Sequence, residues 1–190
     1  MKGGEFLIKR QNIILLCGKS GSGKTTIADF LEKYDDLKVL QSYTTRPKRT
    51  PTETGHTFIS DEDFNYLINI CAYGEFGGYR YCATKEQIDN SDIYVIDAQG
   101  IEYFRKNYHG SRKPIVVYIH IPPIKRFFRL IKRDGFKKGL KRWLQDIPHF
   151  KGIRKMSDCS VTIKTNNVGM IGNCIYKIWK GTWCDKKYEV

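Results

Sequence analysis

Long apolar runs are absent from this sequence of 190 residues. The apolar stretch Asn12–Cys17 spans six residues, whereas a helix needs about 20 apolar residues to cross a membrane. The first ten residues, MKGGEFLIKR, contain no segment that resembles the apolar core of a signal peptide. These absences argue against a membrane protein, and we expect a single cytoplasmic domain with no membrane partner.

Cysteine pairs with metal-binding spacing are also missing. The chain has six cysteines, but no two of them form a C-x-x-C motif and no pair of histidines completes a zinc-ligand pattern. We therefore expect buried or idle thiols in a reducing compartment. The cysteines are Cys17, Cys71, Cys82, Cys159, Cys174 and Cys184.

Acidic residues are scarce relative to basic ones. Lys and Arg number 33 against 20 Asp and Glu, which gives a formal net charge of +13 and a pI near 9.5. Such a charge favours polyanionic partners, namely nucleic acid, anionic lipid or phosphorylated small molecules, and it does not distinguish among them. The segment 125–155 is especially basic, with Asp134 and Asp146 as its only acids. It is either a solvated face or a surface that binds anions.

The alternation of short β-branched runs with amphipathic runs predicts an α/β fold, with a mainly parallel sheet flanked by helices. Asn12–Cys17 is predicted as a buried strand, and Pro114–Ile121 is too apolar on both faces to lie at a sheet edge. A second short strand is predicted at Lys38–Gln41. A helix that begins after Ser60 is predicted to extend to Cys71.

A glycine-rich segment follows the first predicted strand and fits the pattern G-x-x-x-x-G-K-[ST]. Its glycines allow successive backbone N–H groups to point at phosphate oxygens, and the helix that follows adds its positive N-terminal end. Lys24 supplies a cation for the β- and γ-phosphates, and Thr25 supplies a hydroxyl ligand for Mg²⁺. The pattern therefore predicts a site for ATP and Mg²⁺. Its residues are Gly18, Lys19, Ser20, Gly21, Ser22, Gly23, Lys24 and Thr25, followed by Thr26.

The predicted strand at 92–97, DIYVID, ends in an acid, Asp97. An acid that follows a buried strand is typical of a second acidic group near the magnesium ion of a phosphate-loop protein. An ordinary aspartate at the end of a strand gives the same pattern, so both interpretations stay open at this point.

The segment 42–49, SYTTRPKR, contains the motif S-x-T-T-R-x-x-R. With the phosphate loop at this distance before it, the sequence resembles the guanylate kinase family of nucleoside monophosphate kinases over nearly the whole chain from Asn12. The resemblance implies that Ser42, Arg46 and Arg49 bind the phosphate of the acceptor nucleotide. Partial matches to later motifs of the family occur at Gly55, His56, Phe58, Tyr81, Asp97, Gln99, Gly100 and Asn166.

The resemblance implies a phosphate-loop type of parallel sheet flanked by helices, with two additions to a core formed by residues 11–41, 84–132 and 151–190. The first addition is a small insert at 42–83 that binds the nucleoside monophosphate, and the second is a basic lid at 133–150. It also implies transfer of the γ-phosphoryl group of ATP to a nucleoside monophosphate, with Mg²⁺ as cofactor. The implied partners are small-molecule nucleotides, and no nucleic acid is expected.

Roles for individual residues follow from the same resemblance. The catalytic residues that it implies are Lys24, Arg46, Arg133 and Arg142. The acceptor-binding residues that it implies are Ser42, Arg46, Arg49, His56, Glu75, Tyr81 and Asp97. Asn166 is expected to meet the adenine of ATP and joins loop residues 18–26 in the ATP-binding set.

The residues that read the acceptor base depart from the family pattern. The guanine-reading glutamate of the family aligns with Ala72, and a second position that contacts the base aligns with Ala83, which lacks a hydroxyl group. Glu75 is the candidate to replace the glutamate. The family implies GMP or dGMP as acceptor. Another nucleoside monophosphate, a phosphorylated sugar and a catalytically inactive interaction module are the alternatives.

Overall fold

A computed structural model describes residues 11–150, 152–182 and 186–190. The segment 1–10, on which the expectation about a signal peptide rests, and Cys184 lie outside the described residues. Across the described ranges, no helix has both the length and the apolar character that a membrane crossing requires. The helices are α1 (Lys24–Asp35), α2 (Asp61–Asn65), α3 (Lys85–Asp89), α4 (Ala98–Asn107), α5 (Pro123–Asp134), α6 (Phe136–His149), α7 (Ile153–Met156) and α8 (Val168–Trp179). The strands are β1 (Asn12–Cys17), β2 (Ser42–Thr44), β3 (His56–Phe58), β4 (Ile70–Phe76), β5 (Tyr79–Thr84), β6 (Ile93–Val95), β7 (Lys113–His120), β8 (Cys159–Thr162) and β9 (Lys187–Glu189).

A parallel sheet forms the centre of the described chain, and its five strands run in the order β6-β1-β7-β8-β9. Residues 13–17 of β1 are fully buried, as expected for a continuous apolar strand that is covered on both faces. The strand predicted at Pro114–Ile121 is β7, and it lies between β1 and β8. The predicted α/β fold with a mainly parallel sheet is therefore confirmed.

Helices cover both faces of this sheet because the side chains of β1 alternate between them. Ile14 and Leu16 pack with apolar residues of α1 and α8 on one face. Ile13 and Leu15 pack with apolar residues of α4 and α7 on the other. The connection from β1 to α1 follows the last residue of β1, so it lies at the carboxyl edge of the sheet. Open parallel sheets bind their ligands at this edge.

A second sheet is built from the insert, with the strand order β3-β2-β5-β4. β2 pairs in parallel with β3 and antiparallel with β5, which forms an antiparallel hairpin with β4. The strand predicted at Lys38–Gln41 is wrong, because that segment contributes an isolated bridge from Val39 to Ile93. The strand starts at Ser42 instead and belongs to the second sheet.

The helix predicted from Ser60 to Cys71 is also wrong in its length. The Ser60 side chain caps the first turn of α2 as expected, but the helix ends at Asn65. Asn69 has a φ of 54°, a left-handed conformation that turns the chain towards β4. Ile68, which was expected on the apolar face of the helix, is 75% exposed.

α5 and α6 form a helical hairpin that contains the predicted lid. Gly135 joins the two helices with a φ of 76°, which glycine adopts without strain. A Cβ on Gly139 would lie 2.9 Å from the carbonyl carbon of Leu130, so this glycine allows the helices to approach closely. The rings of Phe127 and Trp143 meet edge to face at 5.8 Å and join the two helices.

Candidate nucleotide site

The glycine-rich loop runs from the end of β1 to the start of α1 at Lys24. Gly21 and Gly23 have φ angles of 78° and 88°, in the left-handed region that favours glycine. Gly18 is required for a different reason, because a Cβ there would lie 2.7 Å from the carbonyl oxygen of Ile119. The strand, loop and helix thus occur in the order that the sequence motif needs, with the N-terminus of α1 at the loop.

The side chain of Lys24 folds back on its own loop. Its Nζ donates hydrogen bonds to the backbone oxygens of Gly18 at 2.6 Å and Lys19 at 3.4 Å. Burial lowers the pKa of this ammonium group to about 8, while the charge of Asp146 acts in the opposite direction. Lys24 is therefore a desolvated cation held by neutral carbonyl groups, and the oxygens of a phosphate would be stronger partners.

One cleft, of about 340 Å³, lies between the loop, the start of α1 and the start of α8, and we call it the α8 cleft. Arg129 donates to Asn166 Oδ1 at 3.2 Å and to the backbone oxygen of Gly21 at 3.5 Å. These bonds connect α5 to both sides of the cleft. The lining residues are Gly21, Ser22, Gly23, Lys24, Thr25, Thr26, Ile27, Arg129, Arg133, Ile163, Thr165, Asn166, Val168 and Ile171.

A second cleft, of about 200 Å³, lies between the two sheets, and we call it the inter-sheet cleft. Its lining residues are Gly18, Ser20, Lys24, Ser42, Arg49, His56, Tyr73, Gly74, Phe76, Tyr81, Tyr94, Val95, Ile96, Asp97, Gly100, Arg142, Asp146 and Phe150. Lys24 lines both clefts. The two clefts therefore meet at one cation, which suits the transfer of an anionic group between two bound anions.

Glu53 holds the two arginines of the segment 42–49. Arg46 donates from Nη1 and Nη2 to the two Glu53 carboxylate oxygens at 3.1 and 2.8 Å, and the backbone N–H of Arg49 donates at 2.6 Å. Although burial opposes ionisation, these contacts lower the pKa of Glu53 to about 2. The Arg46 side chain is 7% exposed and that of Arg49 is 48% exposed. Arg49 reaches the inter-sheet cleft, and Arg46 lies behind it.

Ser42 and His56 form a polar pair on the wall of the inter-sheet cleft. Ser42 Oγ and His56 Nδ1 lie 2.9 Å apart, and the His56 ring meets the Tyr81 ring edge to face at 5.7 Å. Burial lowers the pKa of His56 to about 4, and the charge of Arg46 has the same effect. His56 is therefore a neutral imidazole near pH 7 and offers hydrogen-bonding atoms without a charge.

Asp134 holds the two lid arginines that were predicted to be catalytic. Arg133 donates from Nε and Nη2 to its two carboxylate oxygens, each at 2.9 Å. Arg142 Nε lies 3.6 Å from the same carboxylate. Arg133 lines the α8 cleft and Arg142 lines the inter-sheet cleft, so one carboxylate connects a cation at each cleft.

Asp97 faces the inter-sheet cleft from the start of α4. Its Oδ1 accepts a hydrogen bond from the backbone N–H of Gly100 at 2.7 Å, which caps the helix. Gly74 of β4 lies opposite, where a Cβ would be 3.2 Å from the same oxygen. Asp97 thus narrows the cleft between the two sheets.

Residues 9–166 of the sequence match the family model for guanylate kinase. The chain belongs to the guanylate kinase family. It is 34% identical over 110 residues to the guanylate kinase of Pseudoalteromonas translucida, an alignment that covers 51% of this chain and 53% of that protein. It is 29% identical over 123 residues to the guanylate kinase of Thermotoga maritima, which covers 58% and 57%. The chain spans about half the length of these curated relatives.

A solved structure shows the same guanylate kinase fold. The crystal structure of guanylate kinase from Anaplasma phagocytophilum superposes on this chain with a TM-score of 0.57, and the alignment covers 93% of this chain and 89% of the other. At 18% sequence identity this similarity concerns the fold alone. It agrees with the parallel sheet flanked by helices described above.

The site residues expected from the guanylate kinase pattern are divided between the two clefts. The α8 cleft contains the expected ATP-binding residues Gly21, Ser22, Gly23, Lys24, Thr25, Thr26 and Asn166, together with Arg133. The inter-sheet cleft contains Gly18 and Ser20 of the loop, Arg142, and the expected acceptor-binding residues Ser42, Arg49, His56, Tyr81 and Asp97. Most of the expected ATP-binding residues thus line the α8 cleft and most of the expected acceptor-binding residues line the inter-sheet cleft, with Gly18 and Ser20 as the exceptions. The roles of these residues stay predictions.

Three expected site residues lie elsewhere. Lys19 lines a separate small recess beside Arg126. Arg46 is buried against Glu53 and lines neither cleft. The carboxylate of Glu75 accepts a hydrogen bond from the hydroxyl of Tyr73, and Glu75 is on the exposed side of β4.

Three acids that hold residues of this site in place have no role predicted from the sequence, namely Glu53, Asp134 and Asp146. Each of them is an isolated acid in a basic segment. An isolated acid among several cations is a signal for a paired and partly buried carboxylate, because its neighbours favour ionisation. The isolated acids are visible in the sequence, but the residue that each of them contacts is not.

Proposed function

We propose that this chain transfers the γ-phosphoryl group of ATP to a nucleoside monophosphate, with GMP or dGMP as the expected acceptor. The observation that carries the proposal is the position of Lys24, which lines both clefts. ATP is assigned to the α8 cleft and the acceptor to the inter-sheet cleft. The names of the curated relatives support the same reaction. A cytoplasmic location and the absence of a nucleic-acid partner stay predictions from the sequence.

The chemistry needs position and positive charge more than it needs a base. The attacking oxygen of a monophosphate is already anionic, so no strong general base is required. Lys24 and the loop N–H groups hold the donor, and Arg49 holds the acceptor phosphate with Arg46 behind it. Arg133 and Arg142 add charge at the α8 cleft and the inter-sheet cleft. Held in place before the reaction, such cations stabilise the charge of the transition state.

The residues present fit ATP and Mg²⁺. A Cβ at Gly18 would meet the backbone of Ile119, so the loop has the tight fold that a phosphate cradle needs. Ser22 Oγ is buried and has no hydrogen-bond partner in the described ranges. The exposed hydroxyl of Thr25 lines the α8 cleft and would hold Mg²⁺ together with phosphate oxygens and water. The ion supplies charge neutralisation on the transferring group.

A second candidate is a nucleoside monophosphate kinase with a different or broader base preference. Ala72 and Ala83 are both fully buried, and neither side chain has a polar atom. The Glu75 carboxylate is hydrogen-bonded to the Tyr73 hydroxyl. Guanine presents N1–H and N2–H₂ donors, and leaving such donors unpaired costs about 1–3 kcal/mol each. β4 therefore offers guanine no buried carboxylate in this arrangement.

Glu75 tests the choice between the two candidates. If Glu75 turns from Tyr73 to read guanine, Glu75→Gln raises KM for GMP strongly and leaves KM for ATP nearly unchanged. If the base is read by other groups, the substitution leaves both constants nearly unchanged. The exposed Glu86, on α3, provides the control substitution Glu86→Gln.

A panel assay tests the proposal itself. ADP release is measured with a coupled assay against all ribo- and deoxynucleoside monophosphates and a set of sugar phosphates. We expect turnover with at least one nucleoside monophosphate, and the highest kcat/KM with GMP or dGMP. Comparable turnover with pyrimidine monophosphates supports the second candidate. Turnover with a sugar phosphate alone, or with no acceptor, contradicts both.

A further inference from the structure

The buried acid Asp146 of α6 lies directly against the phosphate loop. Its Oδ2 accepts a hydrogen bond from the backbone N–H of Ser20 at 2.9 Å, and its Oδ1 accepts one from Ser20 Oγ at 2.9 Å. The Asp146 side chain is 0% exposed, and Arg126, which is 5% exposed, lies 3.5 Å from Oδ2. Both carboxylate oxygens therefore have partners, as a buried ion requires.

These contacts connect parts of the chain that are distant in sequence. Asp146 belongs to the helical hairpin, whereas Ser20 lies 126 positions earlier in the loop. Elsewhere α6 packs on α5 through the close approach at Gly139. The Asp146–Ser20 pair thus fixes α6 relative to the loop itself rather than only to its partner helix.

Arg142 lies four residues before Asp146 on the same helix, and residues at this spacing share one helix face. Both side chains line the inter-sheet cleft, together with Ser20 and Lys24. Arg142 has a further contact at its other side, where its Nε lies 3.6 Å from Asp134. The turn of α6 that docks on Ser20 therefore ends next to the turn that carries Arg142, and both turns line the same cleft as Lys24.

We propose that Asp146 is a positioning residue, which docks α6 on Ser20 and so places Arg142 at the inter-sheet cleft for phosphoryl transfer. The inference rests on the proposed kinase function, and it adds a residue that acts through Arg142 rather than on substrate. Arg126 lies beside Asp146 and offsets part of its negative charge, and the remaining charge favours the protonated form of Lys24.

Asp146→Ala removes the acceptor of both hydrogen bonds. We expect kcat to fall about 10- to 100-fold, since a small misplacement of a catalytic group has an effect of this size. Measured at a pH well below the pKa of Lys24, KM for ATP is expected to change less than about threefold, because the α8 cleft does not contain Asp146. Leu144→Ala, at a half-exposed position two residues away, is the matched control and is expected to keep wild-type kcat.

Asp146→Asn removes the negative charge but keeps groups that can form both hydrogen bonds. The amide oxygen can still accept from the Ser20 N–H, and the amide NH₂ can donate to Ser20 Oγ. We expect this variant to recover most of the kcat that the alanine variant loses. A role that depends on the negative charge alone gives equal losses for the two variants and overturns the proposal.

A double-mutant cycle with Arg142→Ala tests whether Asp146 acts through Arg142. We expect the double variant Asp146→Ala/Arg142→Ala to be no slower than Arg142→Ala alone, because the two residues serve one function. Multiplicative losses overturn the proposal, as does a gain in ATP affinity without loss of kcat, which would identify Asp146 as a competitor of phosphate. If Asp146→Ala does not fold, the same cycle is run with Ser20→Ala.

Hydrogen exchange distinguishes failure of this inference from failure of the kinase function. In the protein without nucleotide, Asp146→Ala is expected to speed exchange in residues 136–149 and at Ser20, whereas Asp146→Asn is not. A wild-type protein without phosphoryl transfer contradicts the proposed function and leaves the exchange result to decide the docking contact. Unchanged exchange in Asp146→Ala, with or without activity, contradicts the docking contact.

Discussion

At the scale of single residues, the cations near the two clefts already have oxygen partners. Lys24 donates to the backbone oxygen of Gly18, and Arg133 pairs with Asp134. These partners fix the direction of each side chain before a phosphate arrives, so less reorganisation is left for the reaction itself. In the proposed function, substrate binding exchanges an internal oxygen for a phosphate oxygen.

Lys24, which lines both clefts, is the central residue of the proposed reaction. We expect Lys24→Ala to lower kcat by about 100- to 1,000-fold, the effect of removing one preorganised donor from a charge-stabilising site. The fold should persist, because the side chain bonds only loop carbonyls in the contacts described above. The exposed Lys33 of the same helix is the control, and Lys33→Ala is expected to keep full activity. Equal turnover in the two variants contradicts the loop assignment.

The pKa of Lys24 predicts a pH dependence. Burial lowers this pKa to about 8, so the side chain is charged below that pH and becomes neutral above it. We expect kcat/KM for ATP, which reports the free enzyme, to fall as pH rises through about 8. Lys24→Arg carries a charge that does not titrate in this range, and it is expected to lose this alkaline decline. A decline that persists in Lys24→Arg must come from another group.

Glu53 predicts a separation of the two substrates. Glu53→Gln weakens the bidentate contact to Arg46 and releases Arg49. We expect KM for the acceptor to rise about 10- to 100-fold, because the arginines lose their fixed positions. KM for ATP should stay constant. The exposed Glu62 of α2 provides the control substitution Glu62→Gln, and a parallel rise of both KM values would contradict the acceptor assignment.

At the scale of secondary structure elements, α6 of the helical hairpin has one buried side and one exposed side. Asp146 is fully buried and Trp143 packs on Phe127. Leu144 and Ile147 are each 50% exposed, and Phe136 is 63% exposed. The exposed side of α6 can open locally while Asp146 and Trp143 stay packed.

The lid at 133–150 is expected to gain order when both substrates bind. Its exposed lysines and arginines repel one another until anions neutralise them. Hydrogen exchange in residues 136–149 should slow strongly when a non-hydrolysable ATP analogue and the acceptor bind together, and less with either alone. Residues 174–179 of α8, which include the buried Cys174, Ile175, Ile178 and Trp179 and do not line the α8 cleft, serve as the internal reference. Equal protection with and without nucleotides would contradict a closing lid.

The sequence predicted the long elements better than the short ones, for a physical reason. β1 and β7 are continuous apolar runs that need burial on both faces wherever they lie. β2 is three residues long, and its existence depends on pairing with β5, where Tyr43 lies opposite Cys82. Pairing of that kind is a tertiary contact, so local propensity placed the strand at Lys38–Gln41 instead.

At the scale of the whole molecule, the charge and the clefts favour the same kind of ligand. The formal net charge of +13 attracts phosphate-bearing molecules in general. The two clefts narrow the choice of ligand, because pockets of a few hundred Å³ suit small molecules more than a polymer. Net charge and cleft size therefore both support small nucleotides as the proposed partners.

The candidate site was predictable where its residues are contiguous in sequence. The loop around Lys24 and the segment that contains Arg46 and Arg49 are short motifs with fixed geometry. The contact between Asp146 and Ser20 joins positions 126 residues apart, and no local pattern specifies it. The same holds for Glu75, whose position on β4 follows from the hairpin and from its bond to Tyr73.

The most direct test of the account follows the transferred group itself. The protein is incubated with ATP labelled at the γ-phosphate, Mg²⁺ and GMP or dGMP, and the products are separated, with Lys24→Ala as the blank for contaminating kinases. The account predicts that the label moves to the β-position of the nucleoside diphosphate, and that the blank shows about 100-fold less transfer. Label that stays in ATP, or that appears only as free phosphate with every nucleoside monophosphate, would contradict it.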